Sequence, residues 1–217
     1  MKLLIAGATG QVGALAVAEA LSEGHEVTAL ARNPARLEQG TAGKSPRLRT
    51  VAGDVLDRDA VRRAVAGQDA LLLVFGAPLN LQTIANVPVV RTEATGHFID
   101  AMKESGVRRL VVMTGIGAGD SRRSGRAIFR NVIRPLLLGR IYVDMDRQEQ
   151  LVQASPLDWT IVRPAELTNG PALGNVRTIT DYQREPASTI SRSDVARFLV
   201  TCCASAALPK QCYVISS

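Results

Sequence analysis

Residues 1–13 read MKLLIAGATGQVG, and this stretch decides the fold. A short apolar run over Lys2 to Ala6 predicts a strand, which meets glycine at once. From Gln11 to Glu23 apolar residues recur at helical spacing, and Gly24 follows as the usual C-terminal cap. A strand, a glycine-rich turn and a helix in this order are typical of a βα unit that binds phosphate groups.

The rest of the chain continues the alternation of strands and helices. An aspartate suited to an N-cap, Asp59, begins the second predicted helix. Further strands are predicted at Glu26 to Ala31, Leu48 to Ala52, Asp69 to Phe75, Arg109 to Met113, Trp159 to Val162 and Gln211 to Ile215, and further helices at Asp59 to Ala66, Val89 to Ser105, Asp144 to Ala154 and Ser193 to Ala204. This order predicts an α/β fold with a Rossmann-like, doubly wound parallel sheet. We expect a single domain over residues 1–217, with a small C-terminal portion on the substrate side.

Composition excludes several classes of protein. The chain has 217 residues, of which 46% are hydrophobic and 21% charged, and this balance excludes intrinsic disorder. No apolar run approaches the ~18 residues of a membrane span. A strand and a loop fill the place of a signal peptide, so we expect a cytosolic protein. The three cysteines, Cys202, Cys203 and Cys212, have no metal-binding spacing, and buried reduced thiols are expected.

The glycine turn has the spacing G-x-x-G-x-x-G, with glycines at positions 7, 10 and 13. Glycine lets a pyrophosphate approach main-chain N–H groups without a Cβ in the way, and the following helix N-terminus adds free donors and a partial positive charge. We expect Gly10 to face the pyrophosphate. The predicted phosphate-binding residues are Gly7, Thr9, Gly10, Gln11, Val12 and Gly13.

Several other segments extend the pattern along nearly the whole chain. They read GD at 53–54, VFGA at 74–77, TIVRP at 160–164 and ISRSDVA at 190–196. With the glycine turn they resemble the atypical short-chain dehydrogenase/reductase superfamily, which includes NmrA-like and biliverdin/flavin reductase-like NAD(P)H-binding proteins. The resemblance implies that Asp54 and Val55 lie at the adenine. It further implies that Phe75, Gly76 and Ala77 pass the adenine ribose, and that Thr114, Arg163 and Pro164 lie near the nicotinamide.

The end of the second strand indicates which dinucleotide is bound. Proteins specific for NAD carry an acid about 20 residues past the glycines, which bonds the ribose 2′-hydroxyl. Here Arg32 stands nineteen residues after Gly13, and Arg36 follows one helical turn later. An arginine can pair bidentately with a 2′-phosphate, whereas a carboxylate would repel it. We therefore expect NADP(H) to be preferred over NAD(H), although a solvated surface arginine is the alternative.

The usual catalytic pair of the superfamily is missing. Typical members use a tyrosine with a lysine four residues later, but here Asp146 stands four residues after Tyr142. Counting back from Glu149, as the resemblance suggests, places Ile141 and Met145 in the two roles instead. An aspartate disfavours the phenolate form of a tyrosine. Thr114 and Tyr142 are the candidate catalytic hydroxyls, and a structural role is the alternative for each.

Two main functions therefore stay open. The first is an NADPH-dependent oxidoreductase that reduces a small acceptor, such as a flavin, quinone or tetrapyrrole, with solvent supplying the proton. The second is a non-catalytic NADP(H) sensor or assembly protein, as NmrA-like proteins are. A sugar-nucleotide epimerase comes third, because it normally needs the missing lysine. We expect a monomer or homodimer, with no nucleic-acid partner.

Charge is concentrated in one stretch of the chain. Between Arg108 and Arg147 there are nine arginines and three acids, and this difference of six equals the net charge of +6. Arg122, Arg126, Arg130 and Arg134 recur every four residues, so a helix there carries them on one face. In the superfamily topology this stretch lies beside the nicotinamide. A basic flap that favours anionic acceptors is one interpretation; a basic surface helix or subunit contact is another, and a membrane-surface role is a third.

Overall fold

An eight-stranded sheet forms the centre of the structure, which is a computed structural model. It describes residues 1–39, 41–76, 90–123, 138–179, 185–205 and 210–217. Within these ranges the strands of the main sheet run in the order β3-β2-β1-β4-β5-β6-β10-β8, all parallel except β8, which pairs antiparallel with β10. The strands are β1 (Lys2–Ala6), β2 (Glu26–Ala31), β3 (Leu48–Ala52), β4 (Ala70–Leu73), β5 (Arg109–Met113), β6 (Asp158–Pro164), β7 (Glu166–Thr168), β8 (Arg177–Ile179), β9 (Thr189–Ser191) and β10 (Gln211–Ser216). Strands β7 and β9 form a separate parallel pair.

Helices cover both faces of the sheet. The helices are α1 (Gln11–Ser22), α2 (Ala35–Glu38), α3 (Arg58–Val65), α4 (Val90–Ser105), α5 (Gly139–Gln153) and α6 (Arg192–Ala204), with 3₁₀ turns at Thr41–Lys44 and Gly119–Arg123. One core lies between the sheet and α1 and α6, and it takes Leu3 and Ile5 from β1. The other lies under α3, α4 and α5 and takes Leu4 and Ala6. Because alternate residues of β1 enter opposite cores, the strand is apolar from Leu3 to Ala6.

The structure confirms the predicted fold class and corrects several details. The last main-sheet pair is antiparallel, so the sheet is mostly rather than wholly parallel. Three short strands, β7, β8 and β9, were not predicted, and α5 begins at Gly139 rather than Asp144. The N-cap of α3 is Asp57 rather than Asp59, because the Asp57 carboxylate accepts the N–H groups of Asp59 at 3.0 Å and Ala60 at 3.2 Å.

The strand order locates the place where a ligand binds in this type of sheet. The chain moves outward from β1 through β2 to β3, then returns to the other side of β1 as β4. The reversal opens a crevice at the carboxyl ends of β1 and β4, and open α/β sheets bind their ligands in such crevices. The glycine turn at residues 7–13 follows β1 directly, so it lies at this crevice.

All three cysteines are free thiols, with Cys202 and Cys203 buried and Cys212 half-buried. Burial raises the pKa of the Cys202 thiol to about 11.

In the ranges the structure describes, no helix has the length and apolar composition needed to cross a membrane. The same ranges hold no grouping of histidine, cysteine and acidic side chains that could bind a metal ion.

Candidate functional site

The three glycines of the turn are required for different reasons. Gly7 has a φ of +90°, and a Cβ there would lie 2.7 Å from the backbone nitrogen of Phe75. A Cβ on Gly13 would lie 2.1 Å from the carbonyl oxygen of Gly7, so α1 packs directly on the turn. Among the residues that the structure describes, a Cβ on Gly10 would meet only that same carbonyl oxygen, at 3.2 Å. The fold therefore requires glycine at positions 7 and 13, whereas the space beside Gly10 can admit a ligand.

The N-terminus of α1 is suited to an anion. Gly10 is the N-cap, and no side chain caps the helix. The first turn of α1 contains no acidic residue. Thr9 is half-buried, Gln11 is exposed and Val12 is buried in the core, so the turn presents main-chain N–H groups at its surface. Free N–H groups and the positive end of the helix dipole together attract phosphate groups, and the cradle beside Gly10 fits a pyrophosphate.

Basic and acidic side chains lie next to the turn, at the carboxyl ends of β2 and β3. The Arg32 side chain is 84% exposed, and its Nε lies 4.0 Å from a carboxylate oxygen of Asp54. Asp54 also accepts the N–H of Leu56 at 3.0 Å, which fixes the turn that carries the half-buried Val55. Arg36 is exposed on α2. The exposed guanidinium of Arg32 is free to turn toward a phosphate, because its pairing with Asp54 is long and solvated.

A residue that sequence reasoning did not single out lies beside the loop that follows β4. Arg91, at the start of α4, donates from Nη1 to the carbonyl oxygen of Phe75 at 3.2 Å. A Cβ on Gly76 would lie 2.1 Å from Nη2 of Arg91, so the glycine makes room for the guanidinium. Burial lowers the pKa of Arg91, and the charge of Asp144 opposes part of that change. Asp144 accepts the backbone N–H groups of Arg91 and Thr92, both at 3.1 Å, and so caps α4 from α5.

The predicted nicotinamide wall contains a buried ion pair. The side chains of Arg163 and Glu149 are 1% and 2% exposed. The Arg163 guanidinium donates to both Glu149 oxygens, from Nε at 3.0 Å and from Nη2 at 2.7 Å, and from Nη1 to Asp120. Burial lowers the pKa of Arg163, but hydrogen bonding and the charge of Glu149 outweigh that effect and raise it above its ordinary value. The Arg163 side chain therefore points into the protein, toward α5.

The two candidate catalytic hydroxyls both have partners within the protein. Thr114 is buried and donates to Glu149 Oε1 at 2.7 Å. Tyr142 is buried and its hydroxyl donates to the carbonyl oxygen of Ile116 at 2.8 Å. Ile141 and Met145, at the positions that the resemblance favoured, pack with Ala118 in a small apolar cluster. Neither alignment of the helix with the superfamily pattern places a tyrosine four residues before a lysine.

Sequence reasoning missed the partners in this network. Glu149 served only to align the helix, and Asp120 was counted only as part of the charge balance. The buried face of α5 contains Asp144, Asp146, Gln148 and Glu149, and polar residues at helical spacing on an inward face are the signal that could have found them. Pro164 is buried, and its carbonyl oxygen accepts the N–H of Ile116 at 3.0 Å. Ala77 and the basic stretch with Arg126, Arg130 and Arg134 lie outside the described residues, and the Arg122 side chain does too.

A parallel sheet with a glycine turn at its switch point defines a Rossmann-type nucleotide-binding protein. The chain belongs to the NAD(P)H-binding family, whose model matches residues 7–206. It is 29% identical over 205 residues to an uncharacterised chloroplastic protein of Arabidopsis thaliana, covering 92% of this chain and 69% of that protein. It is 34% identical over 123 residues to a 3-diazoavenalumate denitrifying reductase of a Streptomyces species, covering 52% of this chain and 38% of that enzyme.

Solved structures share the whole fold. ChuY, an anaerobilin reductase from Escherichia coli O157:H7, superposes with a TM-score of 0.79 at 24% identity, covering 100% of this chain and 97% of ChuY. A short-chain dehydrogenase/reductase from Veillonella parvula, solved in complex with NADP, gives a TM-score of 0.83 at 15% identity, covering 100% and 94%. At these identities the likeness shows the fold. The Streptomyces enzyme, ChuY and the Veillonella protein are oxidoreductases by name, in agreement with the class that the sequence predicts, and a Bacillus subtilis relative at 26% identity is named an uncharacterised sugar epimerase.

Proposed function

We propose that the chain is an NADPH-dependent oxidoreductase that reduces a small-molecule acceptor without a tyrosine–lysine pair. The observation that carries the proposal is the cradle at the switch point, where Gly10 opens toward solvent at the uncapped N-terminus of α1. Gly7, Gly10 and the first N–H groups of α1 would hold the pyrophosphate, and Arg32 with Arg36 would hold a 2′-phosphate. When bound, the cofactor supplies a hydride, and the acceptor takes up a proton from water in addition.

The contacts of the hydroxyl groups support a reaction without a protein acid. The proton of Thr114 is directed at Glu149, and the proton of Tyr142 is directed at a backbone carbonyl. A residue that gives up a proton in the reaction must reach the substrate, and both donors are used elsewhere. The Glu149–Arg163 pair instead holds α5 against β6, next to the predicted nicotinamide site. We therefore assign these residues to positioning and leave proton supply to solvent.

The same contacts also favour the second candidate, a non-catalytic NADP(H)-binding protein. Steady oxidation of NADPH with any member of a panel of flavins, quinones and tetrapyrroles supports the oxidoreductase. Tight NADPH binding without turnover across the whole panel supports the sensor instead. The cytosolic location stays a prediction, since one relative is chloroplastic. The preference for anionic acceptors is also still a prediction, because the basic stretch lies largely outside the described residues.

Cofactor preference gives the first prediction. NADPH should bind at least about tenfold more tightly than NADH, since a charge-assisted contact from Arg32 contributes about 1.5–3 kcal/mol. Arg32→Glu should reverse the order, because a carboxylate repels the 2′-phosphate. Isothermal titration with both dinucleotides measures the ratio. Arg49→Glu, an equal charge change at an exposed position early in β3, is the control and should keep the NADPH preference. Equal wild-type affinities would rule out the role of Arg32.

A further inference from the structure

Arg91 is a half-buried cation that a backbone carbonyl holds on one side, with its remaining N–H groups open to solvent. It is the second residue of α4, and in the described part of the chain its guanidinium makes one hydrogen bond, to the neutral carbonyl of Phe75. A guanidinium has five N–H donors, so four have no partner among those residues. The nearby Asp144 carboxylate is engaged by the backbone N–H groups of Arg91 and Thr92 and by the Thr92 hydroxyl.

The solvent-facing side of the guanidinium points to an anionic ligand. In the described part of the chain no Arg91 nitrogen is a buried donor without a partner, so the N–H groups that do not bond Phe75 face solvent. A half-buried cation binds an anion more strongly than a fully exposed one, because less water screens the contact. A backbone carbonyl holds the guanidinium in one place but does not neutralise it. The carboxylate of Asp144 compensates the positive end of the α4 dipole, so it serves the helix as well as the arginine. An anion at the remaining N–H groups would complete the site.

Arg91 lies at the switch-point crevice, and this position indicates which anion it binds. Phe75 and Gly76, which the guanidinium contacts, follow β4, and β4 forms one side of the switch-point crevice. The other side is formed by β1 and the glycine turn. The two sides touch, because a Cβ on Gly7 would lie 2.7 Å from the nitrogen of Phe75. The guanidinium therefore reaches the crevice from α4, while the N-terminus of α1 reaches it from the opposite face of the sheet.

We infer that Arg91 binds the pyrophosphate of the dinucleotide, together with the main-chain N–H groups of α1. This inference rests on the proposed function and adds a side-chain contact to it. A planar guanidinium can donate two parallel N–H groups to one phosphate, which a lysine cannot do. Because the pyrophosphate is common to NADPH and NADH, Arg91 contributes equally to both, whereas Arg32 discriminates between them. The two arginines thus divide affinity and specificity.

Arg91→Gln tests the assignment, with the dissociation constants of NADPH and NADH as the readout. Both should weaken by the same factor, of at least about ten, because one charge-assisted contact is lost from each complex. Arg91→Lys should recover part of the loss. The salt dependence of binding should become shallower in Arg91→Gln, since one phosphate contact is missing. Asp144 accepts the backbone N–H groups of residues 91 and 92, so replacing the Arg91 side chain leaves the N-terminal hydrogen bonds of α4 in place.

Arg108→Gln is the control for net charge. Arg108 precedes β5, at the amino-terminal ends of the parallel strands and so away from the crevice at their carboxyl ends, and it pairs with Asp158 at the surface, so its loss should change both constants less than twofold. Unchanged constants in Arg91→Gln, or a loss for one dinucleotide alone, overturn the assignment while leaving the proposed function standing. An effect on the KM of an acceptor without an effect on dinucleotide binding overturns it as well. A wild-type protein that binds neither dinucleotide contradicts both proposals.

Discussion

At the scale of the residue, the buried pair of Glu149 and Arg163 should contribute more to stability than the exposed pair of Arg108 and Asp158. Moving either charge out of water costs free energy, and the bidentate contact between them offsets most of that cost, with Asp120 and Thr114 as further partners. The sequence placed Arg163 near the nicotinamide from a resemblance, which concerned the backbone of the TIVRP segment. Its side-chain partner lies fourteen residues away, on a different element. Such a partner follows from packing rather than from local pattern.

Removing the carboxylate should therefore destabilise the fold strongly. We expect Glu149→Gln to lower the free energy of unfolding by about 3 kcal/mol, at the low end for a broken buried pair because Asp120 remains as a partner. Urea denaturation measures the change. The exposed pair of Arg108 and Asp158 offers a matched comparison, and Arg108→Gln should cost about 1 kcal/mol or less.

A double variant separates the unpaired charge from lost packing. Glu149→Met combined with Arg163→Met replaces the pair by apolar side chains of similar length. It should recover most of the stability that Glu149→Gln loses, because no charge remains buried. If Glu149→Gln costs less than 1 kcal/mol, the pair contributes little and Asp120 alone satisfies Arg163.

At the scale of the element, the turn between β1 and α1 combines two demands on glycine. Gly13→Ala forces a Cβ to 2.1 Å from a backbone oxygen, so it should lower the free energy of unfolding by about 1–3 kcal/mol, as overpacking does. Gly10→Ala needs a shift of only a few tenths of an ångström and should change stability by less than about 1 kcal/mol. It should nevertheless weaken NADPH binding at least about tenfold, because the new methyl group faces the pyrophosphate.

Urea denaturation measures the stability of Gly13→Ala and Gly10→Ala, and titration measures their affinity for NADPH. Gly10→Val places a larger side chain at the same position as Gly10→Ala. A folded Gly10→Ala or Gly10→Val protein that binds NADPH like the wild type would place the phosphate site elsewhere. A Gly13→Ala protein of unchanged stability would contradict the close packing of α1 on the turn.

Elements with a strong local signal could be predicted, and those formed by distant contacts could not. The strands β1, β2, β3 and β5 have the predicted bounds, because each is a short segment with apolar and β-branched residues that a turn closes. The three-residue strands β7, β8 and β9 have no period long enough to recognise. The loop before β8 is fixed by Asp194, whose carboxylate accepts the N–H groups of Leu173 and Gly174, each at 2.9 Å. That contact spans some twenty residues, so no local pattern shows it.

The candidate site divides in the same way. The glycine turn and Arg32 could be found by spacing from the first strand, because phosphate binding uses the backbone of one βα unit. Arg91 could not, since it reaches the crevice only through the docking of α4 beside β4. Thr114 and Tyr142 could be named as hydroxyl groups, but the acceptors of their protons lie on α5 and in the loop after β5. Which hydroxyl is available is decided by the packed structure.

At the scale of the whole molecule, the crevice joins elements from both halves of the sheet. Gly7 contacts Phe75 across the switch point, and Arg91 contacts Phe75 from α4. A dinucleotide bound there would bridge β1 and β4 and contact helices on both faces. Because unfolding separates all of these elements, a ligand that binds only the assembled crevice stabilises the entire fold.

This coupling gives the last prediction. NADPH at one hundred times its dissociation constant should add about 2.7 kcal/mol to the free energy of unfolding. For a chain of this length, that gain corresponds to a rise in Tm of about 5–10 °C. NADH at the same concentration should raise Tm by about half as much, since tenfold weaker binding removes about 1.4 kcal/mol. Scanning calorimetry measures both shifts. Gly10→Ala, at the same NADPH concentration, should show a reduced shift although its own Tm is near that of the wild type. Equal shifts with the two dinucleotides would contradict the role of Arg32, and no shift with either would contradict a dinucleotide site in the crevice.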